Sequence, residues 1–250
     1  MRYKLNIGWL YPELMSTYGD QGNIISLQRR STLRNIEVSL IKLDLGFDKK
    51  ELEKCDLLFM GGAQDRQQEI VAKDIKEKAS ILSRIIKNGI PGLYICGAYQ
   101  FLGKYYKDAN ELIIKGLGII DAYTENLGDK RLIGNILIKP EVKSLEKITF
   151  VGFENHGGRT FLGKNIKPFG RVIKGFGNNG KDKTEGAIYK NSICSYLHGP
   201  ILPKNPELCD YLIKTALEKK YKKKIVLKEL DNNLEKKARK TIAQRLKVKV

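Results

Sequence analysis

Apolar positions along the chain fall into two textures. In the first, short apolar runs alternate with helically spaced ones. Leu5 to Leu10, Val38 to Leu43 and Leu57 to Met60 are predicted strands, the third closed abruptly by GGAQD. Within Ile70 to Lys87, Val71, Ile75, Ala79, Leu82 and Ile86 recur on one face, the spacing of a helix laid on a sheet. Ile90 to Ile95 is a short strand leading to Cys96, and GAYQFLGKYY after it is a helix start. Strands separated by helical patterns predict an α/β sheet.

From about residue 116 the second texture begins, with Gly-rich turns between strand-like pieces. These are Ile133 to Ile138, Ile148 to Phe153, Arg171 to Lys174, Ala187 to Tyr189 and Ile193 to Leu197, expected as antiparallel or edge strands. Asn205 to Lys219 then reads as a helix, with Pro206 suited to its first turn. No internal repeat or low-complexity linker interrupts the pattern. The expectation is one α/β domain with a helix appended.

That helix is where charge changes the picture. The net charge of +18 looks like a nucleic-acid signature, but residues 214–250 hold fourteen Lys or Arg against four acids. The excess sits in the tail. Leu230, Leu234, Ala238, Ile242 and Leu246 recur there every four residues without Gly or Pro, the pattern of a basic amphipathic helix. It suits a partner, an anionic membrane surface or nucleic acid, and equally a plain solvated helix, so the charge alone decides nothing. With 42% hydrophobic residues in 250, a substantial core is expected and disorder is excluded for most of the chain. No apolar run reaches the roughly 18 residues of a membrane span, and MRYKLNIGWLYPEL lacks a cleavage site, so a cytoplasmic protein is expected.

Cys55, Cys96, Cys194 and Cys209 form no CxxC pair and share no spacing with the two histidines. Neither a disulfide framework nor a metal site is indicated. Cys96 differs from the others in its setting, ending a strand before Gly97 and Ala98. A tight strand-to-helix turn there projects the thiol above the sheet, the logic of a nucleophile elbow, and the helix N-terminus favours a thiolate. A buried inert thiol is the default for the other three. A thiol nucleophile needs a base, and His198, after the strand-like CSYL, lies at the same sheet edge. His156, in the Gly-flanked loop FENHGGRT, suits a structural role or a substrate contact as well as catalysis. Gly61 and Gly62 end the third strand, where they suit half of an oxyanion hole or a plain β-turn.

LYPELMSTYGDQGN, FMGGAQDRQQ, YICGAYQFLG, GFENHGGRT and SYLHGPILPKNPEL, in this order, resemble the class I glutamine amidotransferases. The resemblance is to their cobyric acid synthase-like branch, and within it to glutaminase subunits of lipid II isoglutaminyl synthase, over roughly residues 3–217. It implies an open, mostly parallel sheet flanked by helices, with extra antiparallel strands and a C-terminal basic helix. The amidotransferase domain would span 1–217 and the basic helical extension 218–250. It also implies that Cys96 attacks the carboxamide of L-glutamine and that His198 moves the protons. Gly62 and Gly97 would hold the oxyanion, and Gln100 would contact the substrate. Arg131, in GDKRLIG, would pair with the substrate carboxylate, although a surface arginine is the plain alternative.

Two departures stand out. The usual G-x-C-x-G elbow has Tyr94 and Ala98 at its outer positions here, and His198 is followed by Gly199 and Pro200 where the wider class carries x-E. Something must orient the imidazole. Asp20, in YGDQGN, is the internal candidate; an acid donated by a partner subunit is the preferred expectation. The resemblance implies such a partner: a Mur ligase-like subunit, MurT, that uses ATP and Mg and takes the ammonia to the D-glutamate of lipid II in peptidoglycan synthesis. No cofactor is expected in this chain, which has no GxxxxGK[ST]. The rivals are an amidotransferase of this branch with another acceptor, and a non-catalytic nucleic-acid-binding protein on the same fold.

Overall fold

β1 (Lys4–Leu10) buries Leu5, Ile7, Trp9 and Leu10, so it is covered on both faces, as a central strand of a parallel sheet is. α1 (Gln21–Thr32) leads to β2 (Glu37–Leu43), whose mixed exposure marks an edge. β3 (Leu57–Met60), α2 (Asp65–Lys87), β4 (Gly92–Ile95) and α3 (Gly97–Leu102) follow, both strands wholly buried. The computed structural model describes residues 2–248. Met1 and residues 249–250, the outer ends of the two expected segments, lie outside the described residues.

The second texture folds into short strands. β5 (Tyr105–Lys107), β6 (Ile113–Lys115) and β7 (Ala122–Glu125) precede the long β8 (Leu132–Pro140) and β9 (Phe150–His156). β10 (Arg159–Leu162), β11 (Gly170–Lys174), β12 (Thr184–Glu185), β13 (Ala187–Tyr189) and β14 (Ser192–Ser195) complete the set. The main sheet has the order β13-β14-β4-β3-β1-β2, parallel except for β13. Two four-stranded sheets, β10-β7-β5-β6 and β12-β11-β8-β9, stand beside it. The helix start at GAYQFLGKYY stops at Leu102, and Tyr105 to Lys107 turns into a strand.

β9 ties the second half to the first. Phe153 and His198 exchange both backbone hydrogen bonds, at 2.7 and 3.2 Å, in an isolated antiparallel bridge. The strand also runs to His156, paired with Leu132, so this histidine ends a strand instead of sitting in a loop.

α4 (Pro206–Tyr221) packs against α1, where Asp210 accepts from both Arg30 and Arg34 at 2.7–2.9 Å. α5 (Asn233–Arg245) then lies on β8 and β9 through Ala243, Ile242 and Leu246 against Leu137 and Val151. The expected stripe holds only in its second half. Each four-residue step on an α-helix turns about 40° past a full circle. Leu234 is therefore 81% exposed and Ala238 faces solvent, while Ile242 and Leu246 reach the buried side; Leu230 precedes the helix. No helix among the described residues is long and apolar enough to cross a membrane.

Candidate active site

β1, β3, β4 and β14 all deliver their carboxyl ends to one edge of the main sheet. Open α/β sheets place ligands outside that edge. Cys96 follows β4 directly with φ +53° and ψ −105°, outside the regular regions for a non-Gly residue. Such a conformation costs roughly 1–3 kcal/mol. It is held by the Cys96 amide donating to Ser195 O at 2.8 Å and by the Gln100 amide donating to Cys96 O at 3.0 Å. Ala98 is fully buried, and a Cβ on Gly97 would lie 3.1 Å from the Gln68 amide, so space around the thiol is tight. Tyr94 at the first elbow position does not prevent the turn.

His198 is fully buried, and its ring interacts with the Cys96 side chain. Its Nδ1 lies 3.4 Å from Oδ1 of Asp20, also fully buried. Burial by itself would lower the ring's pKa; the Cys96 sulfur and Asp20 outweigh it and raise it to about 10. The charged imidazolium is thus the favoured form of the His198 ring. Cys55, Cys194 and Cys209 lie in apolar surroundings where burial pushes the thiol up, that of Cys55 to about 12. They have no such partner and match the inert reading.

Asp20 precedes α1 but makes no capping bond; its Oδ2 accepts from the Gly62 amide at 2.8 Å. This alters the expected role of Gly62, whose N–H is committed to Asp20 and so is not offered to an oxyanion. The paired glycines are needed instead for close approach. A Cβ on Gly61 would stand 2.3 Å from Met15 O, and one on Gly62 would stand 2.9 Å from the His198 ring and 3.1 Å from Cys96 Cβ. The amide of Ala63, next along, lies 3.4 Å from the Cβ position of Gly97. Ala63, which lines the cavity, and Gly97, next to the thiol, are the amides left to serve an oxyanion. The internal candidate, Asp20, thus stands at the imidazole.

The edge opens into a cavity of about 260 Å³ whose lining includes Cys96, His198, Gln100, Arg131, Gln68 and His156. Every expected site residue thus touches the cavity or stands one contact behind it. Arg131 is held in place by Asn155, donating from Nε to Oδ1 at 2.9 Å and from Nη2 to the backbone oxygen at 2.8 Å. Gln100 donates to the Tyr196 hydroxyl at 3.2 Å. Sequence reasoning missed Gln68, Asn155 and Ala63, which carry no pattern of their own. Each is brought to the cavity by a neighbour that does: Gln68 by the elbow it packs on, Asn155 by FENHGG and Ala63 by the glycine pair. Among the described residues no cluster of ligating side chains could hold a metal.

A cysteine on a strained strand-to-helix turn, an imidazole on its sulfur and a carboxylate behind it define a thiol-dependent acyl-transfer site. Residues 6–206 match the CobB/CobQ-like glutamine amidotransferase domain family, and the chain belongs to it. It is 41% identical, over 97% of its length and 96% of the relative's, to the Staphylococcus aureus protein named lipid II isoglutaminyl synthase (glutamine-hydrolyzing) subunit GatD. A cobyric acid synthase of Pelotomaculum thermopropionicum is 29% identical over 61% of this chain but only 31% of that protein. A crystal structure of a glutamine amidotransferase superposes with a TM-score of 0.58 at 17% identity, covering 84% of this chain and 98% of that one. The chain is a glutamine amidotransferase.

Proposed function

We propose that this chain is the glutaminase subunit of a lipid II isoglutaminyl synthase. The observation that carries the chemistry is the buried Cys96–His198–Asp20 line at the cavity floor. Cys96 Sγ adds to the side-chain carbonyl carbon of L-glutamine, and the oxyanion is met by the amides of Ala63 and Gly97. His198 gives its proton to the departing nitrogen, the C–N bond breaks, and ammonia leaves a γ-glutamyl thioester. His198 then takes a proton from water, which attacks the thioester, so that glutamate and the free thiol are restored. Asp20 acts as a positioning residue, orienting the ring and favouring its charged form.

The particular assembly is supported by near end-to-end likeness to the Staphylococcus aureus subunit, against less than a third of the cobyric acid synthase. The partner would be a Mur ligase-like subunit, MurT, that uses ATP and Mg to activate the D-glutamate carboxyl of lipid II and receives the ammonia. The site line would then work in a cytoplasmic complex that borders the membrane.

Ammonia release from L-glutamine by the full chain, with and without a Mur ligase-like partner, tests this. Release that vanishes in Cys96→Ser is expected. Release that persists in that variant, or no release in any mixture of folded proteins, overturns the reading.

A further inference from the structure

Buried acceptors without a partner in the cavity lining include Oε1 of Gln68, beside Gly97 at the elbow, and, away from the elbow, Nε2 of His156 and Oε1 of Gln100. His156 is 1% exposed, and its Nδ1 lies 2.7 Å from the carbonyl oxygen of Gly158. A carbonyl only accepts, so Nδ1 carries the proton and Nε2 is left as a bare lone pair. That Nε2 has no hydrogen-bond partner, and neither does Oε1 of Gln100, which is 5% exposed. Both side chains meet one tyrosine: the His156 ring stacks on Tyr196 at 3.7 Å, and Gln100 donates to its hydroxyl. An unmet buried acceptor costs free energy of the order of a hydrogen bond, so each calls for a donor from a ligand.

The donor's kind follows from its surroundings. The cavity lining contains no Asp or Glu, so a cationic donor here would meet neutral acceptors only. Arg131, Arg159 and His198 are all close enough to disfavour a second charge on the ring, and burial keeps it neutral. A lone cation is therefore unwelcome. A zwitterion is different: its carboxylate answers the Arg131 guanidinium, and its ammonium, one carbon away, adds no net charge. Arg131 and His156 line the same cavity, and Nη1 of Arg131 stands 3.5 Å from the Cβ position of Gly157, the residue after His156, so the guanidinium and the imidazole serve one ligand.

We infer that Nε2 of His156, with Oε1 of Gln100 in the same cavity lining, receives the α-ammonium of glutamine while Arg131 receives its α-carboxylate, making His156 a specificity-determining residue. The inference rests on the glutaminase reading. It assigns recognition of the amino acid's head to the strand end of β9 and leaves the chemistry to the edge of the main sheet.

The test uses the full chain with Cys96→Ala, titrated calorimetrically with L-glutamine and with glutaramate, which keeps the carboxylate and carboxamide but lacks the amino group. Glutamine is expected to bind about tenfold or more tighter, since a charged hydrogen bond is lost. Adding His156→Phe, which keeps a ring for stacking on Tyr196, is expected to bring glutamine down to the glutaramate level and leave glutaramate within about threefold. A variant that keeps the tenfold preference, or a parent that never had it, overturns the inference. A second readout needs no folded variant. With ¹⁵N-histidine there are two rings to follow, and the unprotonated Nε2 of His156 is expected to move upfield with glutamine and stay put with glutaramate. A resonance that ignores both overturns the inference while glutamine still binds. Absence of glutamine binding together with absence of ammonia release overturns the glutaminase reading, and this inference with it.

Discussion

The two histidines share one cavity and are equally buried, yet their surroundings drive them in opposite directions. His198 stands against a sulfur and a carboxylate, and its pKa rises to about 10. His156, removed from water in the same way, has a carbonyl on one nitrogen and cations nearby, and falls to about 3. Burial alone disfavours the charged ring in both. The partners decide the outcome, so the end of the main sheet builds an acid and the end of β9 builds an acceptor. One cavity thus holds a group that delivers protons and a group that reads them.

Removing the partnered ring should have the largest effect. His198→Ala is expected to cut ammonia release by on the order of 10²–10⁴, the range of general acid–base assistance, while His156→Phe at saturating glutamine loses far less. Steady-state kcat for the two variants checks this, and equal losses would erase the distinction between them. Asp20→Asn comes next. It removes a negative charge that favours the imidazolium, so the His198 pKa should fall, which ring NMR titration reads directly. The accompanying loss in kcat is expected to be on the order of a hundredfold, smaller than the roughly ten-thousandfold seen where a short Asp–His contact fixes the tautomer, because this contact is 3.4 Å long. An unmoved pKa would mean that the sulfur alone holds the ring charged.

The sequence made the acid side of this contrast legible and left the acceptor side dark. Cys96 before two small residues, a Gly pair after a strand and His198 after another are local signals, and sheet topology forces their convergence, because parallel strands end at one edge. Asp20 was visible only as a candidate, since nothing local says that a residue before a helix will ignore its own cap and reach Gly62 and His198. FENHGG, ending in glycines, reads as a loop at His156; the long β8–β9 pairing, a tertiary fact, makes it a strand end. Asn155 is silent for the same reason, and Gln68, on α2, reaches the cavity only by packing on the elbow at Gly97. The tail erred differently. A four-residue repeat was treated as one face, although it winds around the helix, and only Ile242 and Leu246 stay on the buried side.

The opposite shifts also predict opposite stability slopes. A ring whose folded pKa is raised stabilises fully below its unfolded value near 6.5, and that contribution is lost as pH rises toward 10. A ring whose folded pKa is lowered does the reverse. The unfolded chain takes up a proton below about pH 6.5 that folded His156 refuses until about 3, so stability falls across that window on acidification. His156→Phe removes this penalty alone. Urea unfolding at pH 7 and pH 4 should show the variant losing less than the parent, by on the order of 2 kcal/mol. An identical loss would mean that His156 opens to water before it protonates.

The smallest effect asks whether the two ends of the cavity depend on what lies behind β9. Arg239 of α5 is nearly buried and forks onto Glu207 at 2.7 and 3.0 Å, and Ala243 beside it covers Val151. Val151 belongs to the strand that also carries Phe153, bridged to His198, and ends in His156. Arg239→Ala should free α5 at a cost of about 1 kcal/mol, read as faster proteolytic cleavage after residue 221. Both histidine titrations and kcat should stay within about threefold of the parent, because β9 is held by its full ladder with β8, from Leu132–His156 to Ile138–Phe150, and needs no support from the tail. Should the His156 resonance move while His198 stays fixed, the strand would be transmitting tail docking to the acceptor end alone. Movement of both would place the Phe153 bridge on the same path, and the independence of the two rings would then hold only while the tail is docked.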